Sequence, residues 1–223
     1  MNEIVQNIII WAPGILFAIT LHEWAHGRMA TFFGDPTPGL MGRLTLNPIP
    51  HIDLAWTIVI PGVMLLVSLM TTGTPFVFGG AKPVPIDPRY FIRSGRSYRM
   101  SIFWVAAAGP LMNLLMALGC ALLFRLVTRL PEYFMLPLAN MLVAAIQMNV
   151  LLAVFNLLPI PPLDGGRMLG AVLPRPLDGH LASLERFGMP IVLLLAFSGV
   201  MSQVMVPAIS LLNQFYLRMA GLS

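Results

Sequence analysis

Five consecutive residues carry the first chemistry in this chain: His22-Glu23-Trp24-Ala25-His26, set well inside an apolar stretch from about Ile4 to Phe33. On a helix, residues four apart share a face, so both imidazoles can hold one ion. Glu23 is displaced from them by one position, toward the same pocket. This is the His-Glu-x-x-His spacing of zinc sites. Neutral imidazole is a good zinc ligand, two imidazoles leave room for a third protein ligand, and a catalytic site keeps its last position for water. A carboxylate beside the ligands, but not one of them, can then take a proton from that water and pass it to a leaving amine. A lone histidine would read as a hydrogen-bonded bundle residue; three ionisable groups within five positions at membrane depth read as a functional site.

The third ligand must come from elsewhere. Of nine acidic residues, seven (Glu3, Asp35, Asp53, Asp87, Glu132, Asp178 and Glu185) fall in termini, linkers or flanks, where solvation is expected. Glu23 and Asp164 do not. Two similar candidates stand out, Leu163-Asp164-Gly165-Gly166 and Leu177-Asp178-Gly179-His180. Asp164 closes the apolar run through Asn156-Leu157-Leu158-Pro159, so a helix that breaks there can carry it at membrane depth. Asp178 follows Pro174-Arg175-Pro176 in a polar linker and reads as a solvated turn, with His180 in the same linker. Asp164 is therefore the expected ligand.

The elements that must position these groups are membrane segments. The 223 residues are 57% apolar and only 10% charged, with a mean hydropathy of +0.82, against about 25% charged in an ordinary soluble domain. The apolar residues come in long runs, which excludes a soluble domain and a disordered chain. The sequence predicts one all-α polytopic membrane domain over 1–223, with about five to six membrane segments. Spans are expected over 4–33, 100–128, 136–158 and 187–212, with a re-entrant hairpin or β-like loop around 54–86. That loop is broken by Pro61-Gly62, Gly73, Pro75, Gly79 and Gly80. Met1-Asn2-Glu3 offers neither a positive flank nor a cleavage site, so the first stretch is expected as a retained span. Asn213–Ser223 is amphipathic at best.

Depth supplies an independent check. If 54–80 crossed the bilayer fully, three crossings would separate the histidines from Asp164 and set them toward opposite faces. A hairpin leaves two crossings and lets them meet. With the hairpin, ten of the thirteen Lys and Arg residues share one side against Arg125 and Arg129, with Arg218 unplaced. The full crossing splits them about eight to five, so the positive-inside bias favours the hairpin, with the catalytic motifs toward the cytoplasm and the N-terminus outside. The net charge of +4 then reports topology, and nucleic acid is not an expected partner.

These residues resemble the site-2 protease class of intramembrane zinc metalloproteases, in a minimal form without PDZ or CBS domains. The resemblance covers most of the chain. It rests on Leu21 through Gly27, Gly42-Arg43-Leu44-Thr45-Leu46-Asn47-Pro48, His51-Ile52-Asp53, Ala81-Lys82-Pro83-Val84-Pro85, Ala108-Gly109-Pro110-Leu111-Met112-Asn113, and Asn156 through Gly165. It implies one zinc per chain on His22, His26 and Asp164, with Glu23 as general base. It also implies an oxyanion role for Asn113, for which a buried Asn tying helices together is the alternative. Substrate contacts are expected at Gly80, Lys82 and Asn156, although an interfacial snorkelling lysine is the plainer reading of Lys82. The implied substrate is the transmembrane segment of another membrane protein. Its unwound part is expected to pair with an enzyme strand, and 76–86 is the candidate because its Pro and Gly content suits an irregular edge rather than a helix. The implied setting is a bacterial-type cytoplasmic membrane.

The rival from another class is a metal transporter or a zinc-binding scaffold. A transport site has no need of a carboxylate beside, and outside, the ligand set; hydrolysis needs one. Cys120 is the single cysteine, which excludes an intrachain disulfide and a cysteine-based metal knuckle. The sixteen methionines are scattered through apolar runs and read as adaptable packing. With no sensory domain in the sequence, gating is left to a regulatory membrane partner, to self-association or to prior trimming of the substrate.

Overall fold

The structure, a computed structural model, describes residues 3–72 and 79–222. Among them the regular structure is helical throughout: α1 (Glu3–Phe32), α2 (Thr37–Leu40), α3 (Ile60–Thr72), α4 (Arg89–Arg93), α5 (Tyr98–Val127), α6 (Glu132–Asn156), α7 (Asp164–Val172), α8 (Leu177–Leu184), α9 (Gly188–Phe197) and α10 (Val200–Ala220). Four of these, α1, α5, α6 and α10, are long and apolar enough to cross a membrane. A crossing needs about 20 residues at 1.5 Å rise each.

Helices α1, α5 and α6 pack on one another, and α10 lies against α5 and α6. Lipid tails are as apolar as leucine, so close van der Waals contact must hold such a bundle together, and small residues permit it. The buried face of α5 reads Ala106, Ala107, Ala108, Gly109, Ala117 and Ala121; that of α6 has Ala144, Ala145 and Ala153. At the crossing of α1 and α6, a Cβ on Gly14 would lie 3.1 Å from the Ala145 Cα. Bulky residues such as Ile8, Phe17, Leu115, Leu122 and Leu211 point outward, where lipid takes the place of a protein core.

The approach to α5 lies beside the end of α1. Gly34, at φ +101°, turns the chain out of α1. Asp35, expected to be solvated, is instead fully buried, because Oδ1 accepts the Thr37 N–H at 2.9 Å and Oδ2 the Asp87 N–H at 2.7 Å. Two backbone donors thus replace water around the carboxylate and clasp the end of α1 to the approach of α4. Phe91 on α4 stacks edge-on against Phe33 with ring centroids 6.3 Å apart.

Farther along, Asp53 caps a wide, π-type turn over 54–59 by accepting from the N–H groups of Ala55 and Trp56, and α3 follows. On the return, the Gly80 N–H donates to the Trp56 carbonyl at 2.9 Å and the Thr57 hydroxyl to the Gly80 carbonyl at 2.7 Å. The excursion 57–80 therefore begins and ends at one place, as a hairpin requires. Part of the expected β-like loop, 73–78, lies outside the described residues; 79–87 is non-helical and enters no ladder among them.

After α6 the chain turns back through 157–163 into α7. The apolar region expected as one span over 187–212 is divided instead. Gly199 takes a left-handed conformation (φ +78°) between α9 and α10, and α10 runs on through the amphipathic end to Ala220. The fourth long apolar helix is thus 200–220.

Candidate active site

His22 and His26 lie one turn apart near the end of α1, and Asp164 is the first residue of α7. Two constraints bring them together. The turn after α6 must fold sharply: a Cβ on Gly165 would sit 2.3 Å from the Leu157 carbonyl oxygen, and one on Gly166 2.4 Å from the Pro161 nitrogen. Helix α5 must also come close: a Cβ on Gly109 would sit 2.3 Å from His26 Nε2 and 2.7 Å from His22 Cε1. Gly109 is thus the floor of the site, a role its motif did not disclose in sequence.

Three atoms converge. The two Nε2 atoms are 3.0 Å apart, and each lies 3.2 Å from Asp164 Oδ2. All three residues are buried, at 7% exposure each. The opposite ring nitrogens are occupied: His22 Nδ1 donates to Asn113 Oδ1 at 2.5 Å, and His26 Nδ1 to the Val105 carbonyl at 2.7 Å. In neutral imidazoles so held, both Nε2 atoms present lone pairs, and Asp164 Oδ2 has no hydrogen-bond donor of its own. Three acceptors facing one another in a buried place repel unless a cation lies between them. A tetrahedral zinc with bonds of roughly 2.0–2.1 Å holds its ligand atoms about 3.3 Å apart, close to the triangle found. The donor set, two imidazoles and one carboxylate, with each imidazole anchored from behind, fits zinc.

Glu23 stands outside the triangle. It is half-buried, and its Oε2 accepts the Val84 N–H at 2.9 Å. Val84 belongs to the extended segment that returns from α3, and Lys82 in the same segment gives its N–H to the His51 carbonyl at 2.9 Å. The N–H groups of residues 80, 82 and 84 thus all turn inward. The Lys82 side chain is exposed. Asn156 donates back to the Leu152 carbonyl on its own helix at 3.0 Å. Asp178 accepts from the Gly179 N–H within α8, and among the described residues the cluster with metal-binding geometry is His22, His26 and Asp164. A cavity of about 720 Å³ adjoins His26, walled by Val84, Ala106, Arg99, Arg167 and Glu185 among others.

The family model described as peptidase family M50 matches residues 131–198, which include Asn156 and Asp164. YwhC of Bacillus subtilis, provisionally named a zinc metalloprotease, is 34% identical over 208 residues, covering 88% of this chain and 84% of that protein. The chain belongs to peptidase family M50. Two Rip2 proteins with names of the same kind are also similar. That of Mycobacterium tuberculosis is 32% identical over 185 residues, 82% of this M50 chain and 64% of the relative. That of Mycolicibacterium smegmatis is 30% identical over 191 residues, 84% and 66% respectively. No solved structure matches the chain.

Proposed function

We propose that this M50 protein is an intramembrane zinc metalloprotease that hydrolyses peptide bonds within or beside the transmembrane segments of other membrane proteins. The observation that carries the reading is the triangle of His22 Nε2, His26 Nε2 and Asp164 Oδ2 with Glu23 one residue away and outside it. Held by His22, His26 and Asp164, zinc would supply Lewis acidity toward the scissile carbonyl and a water whose pKa falls from 15.7 to about 7. Glu23 then acts as base and acid. With Oε2 fixed by the Val84 N–H, its Oε1 takes the proton of the attacking water and returns it to the leaving amine. The buried, low-dielectric surroundings strengthen each of these interactions.

Asn113 was expected at the oxyanion. Its amide is occupied at both ends, by His22 on one side and by Ala18 and Asn149 on the other, which supports a positioning role in place of direct contact with substrate.

A substrate helix must unwind locally before attack, since its backbone groups are already bonded. The segment 79–86 suits the task of holding the unwound strand, with Gly80 and Lys82 fixing it to the hairpin base. If alternation continues, its outward edge consists of Ala81, Pro83 and Pro85. The two prolines lack N–H groups, so this edge mainly accepts hydrogen bonds, which an unwound substrate can donate. Asn156 lies at the turn that delivers Asp164 and supports the same site. The distribution of Lys and Arg supports a catalytic end toward the cytoplasm, and the bilayer, a membrane-protein substrate and a regulatory membrane partner or second copy are the expected company.

The test is cleavage of a transmembrane-helix reporter by purified protein, comparing wild type with Glu23→Gln and measuring zinc in both. Expected are about one zinc in each and a loss of cleavage of roughly 10²–10⁴-fold in the variant. Equal cleavage by both proteins overturns the assignment of Glu23. Stoichiometric zinc with no cleavage of several unrelated reporters, together with zinc flux in vesicles, would favour the transporter.

A further inference from the structure

Asn149 lies on α6, in the middle of an apolar run, buried to 1% exposure and with no contact to the three converging atoms. Its bonds nevertheless reach them. Nδ2 of Asn149 donates to the Ala145 carbonyl at 2.8 Å. A carbonyl can only accept, so that end of the amide must be the NH2, and the oxygen must face the other way, toward Asn113. There it accepts from Asn113 Nδ2 at 2.9 Å. The same Asn113 NH2 donates to the Ala18 carbonyl at 3.1 Å, again an acceptor that admits one orientation. With both its donors used, Asn113 can offer His22 Nδ1 only its oxygen, at 2.5 Å. Nδ1 of His22 must then carry the proton, and Nε2 the lone pair.

We infer that Asn149 is a positioning residue for the metal site, acting through Asn113 to fix the tautomer and ring orientation of His22. The relay runs across three helices, from the Ala145 carbonyl on α6 through Asn113 on α5 to His22 on α1, and every donor in it has one acceptor orientation available. Such partners behind a metal-bound histidine raise metal affinity by about 10–100-fold. His26 has a direct backbone anchor in Val105 and needs no relay. An asparagine amide carries its acceptor and its two donors on separate atoms of one plane, so Asn113 can accept from His22 while donating to both Ala18 and Asn149, which a hydroxyl with its single proton cannot do. The inference rests on the zinc reading of the site.

The test is zinc affinity, measured by chelator competition on the purified full chain in detergent, for wild type, Asn113→Leu, Asn149→Leu and the double variant. Asn113→Leu is expected to weaken zinc binding by about 10–100-fold and Asn149→Leu by about 10-fold. Because the two act in series, the double variant should be no weaker than Asn113→Leu alone; a merely structural role would add its effect in either background. Asn149→Asp should retain affinity, because a carboxyl buried in this place stays neutral and can donate to Ala145 while accepting from Asn113. If Asn149→Leu yields no folded protein, Asn149→Ala removes the same amide without added bulk and is read in the same way. Asn149 variants within twofold of wild type, or an undiminished Asn149 effect in the Asn113→Leu background, overturn the relay. Wild-type protein that binds no zinc refutes the zinc reading itself, a separate outcome.

Discussion

Replacing Gly109 by Ala should disable the metal site while leaving the helices in place. The added Cβ would stand 2.3 Å from His26 Nε2, 2.6 Å from His26 Cε1 and 2.7 Å from His22 Cε1. Ordinary contact between such atoms begins near 3.5 Å, so the His26 ring must retreat by roughly 1 Å. Ligand positions in a metal site tolerate about 0.2 Å. The opposing effect is helix propensity, since Gly to Ala inside a helix gains about 0.5–1 kcal/mol. Overpacking costs about 1–3 kcal/mol and prevails locally, but is too small to unfold a bundle of four long helices. The expected result is zinc affinity lowered by about 100-fold or more, cleavage lost, and a helical signal unchanged. Gly119 on the same helix is the comparator: a Cβ there meets nothing within 4 Å, so Gly119→Ala should keep zinc and gain slightly in stability. Chelator titration, cleavage of the transmembrane-helix reporter and circular dichroism measure these three quantities, and thermal unfolding reads the stability of Gly119→Ala. Gly109→Ala protein with wild-type zinc affinity would refute the close approach of α5 and the geometry built on it.

Asp35→Ala should destabilise the clasp between α1 and α4. The N–H groups of Thr37 and Asp87, both half-buried, lose their acceptor at about 1–3 kcal/mol each, so a loss of roughly 2–6 kcal/mol is expected in denaturant unfolding; an unchanged midpoint would restore the solvated reading. Val84→Pro removes the N–H that holds Glu23 Oε2, a charge-assisted bond of about 1.5–3 kcal/mol, and should slow cleavage about 10–100-fold with zinc retained. If Pro and Ala changes across Phe76–Ile86 leave cleavage of a membrane reporter intact, the strand reading is wrong.

The site was legible in sequence where its residues were costly in their setting. His22, Glu23 and His26 are three ionisable groups in an apolar run, and helical spacing alone puts the two imidazoles on one face. Asp164 was separable from Asp178 because one ends a membrane-depth run and the other follows prolines in a polar linker. The long helices followed from run length. What escaped were features that depend on approach between elements. Gly109 is an ordinary glycine until two imidazoles are set against it. Asp35 resembles any turn aspartate until the Asp87 N–H, 52 positions away in sequence, takes the place of water. The left-handed Gly199 divides a run whose hydropathy is continuous. Asn149 did carry a signal, an amide inside an apolar stretch, but nothing local says which helix it faces.

Packing and chemistry in this bundle have a common origin. Without water, helix association cannot draw on burial of apolar surface, so it depends on close approach through small residues and on the few polar groups that find partners. The stretch Ala106-Ala107-Ala108-Gly109 brings α5 against α1, and the same closeness sets Gly109 under the imidazoles and the Val105 carbonyl within reach of His26. The Asn113 amide, one turn farther, ties α1, α5 and α6 together and orients His22. A bulkier stripe on α5 would therefore loosen the bundle and misplace the ligands in one stroke. By the same reasoning, variation on the outward faces of α1 and α5, at residues such as Phe17 and Leu122, should leave zinc binding untouched, because those side chains meet lipid and not a neighbouring helix.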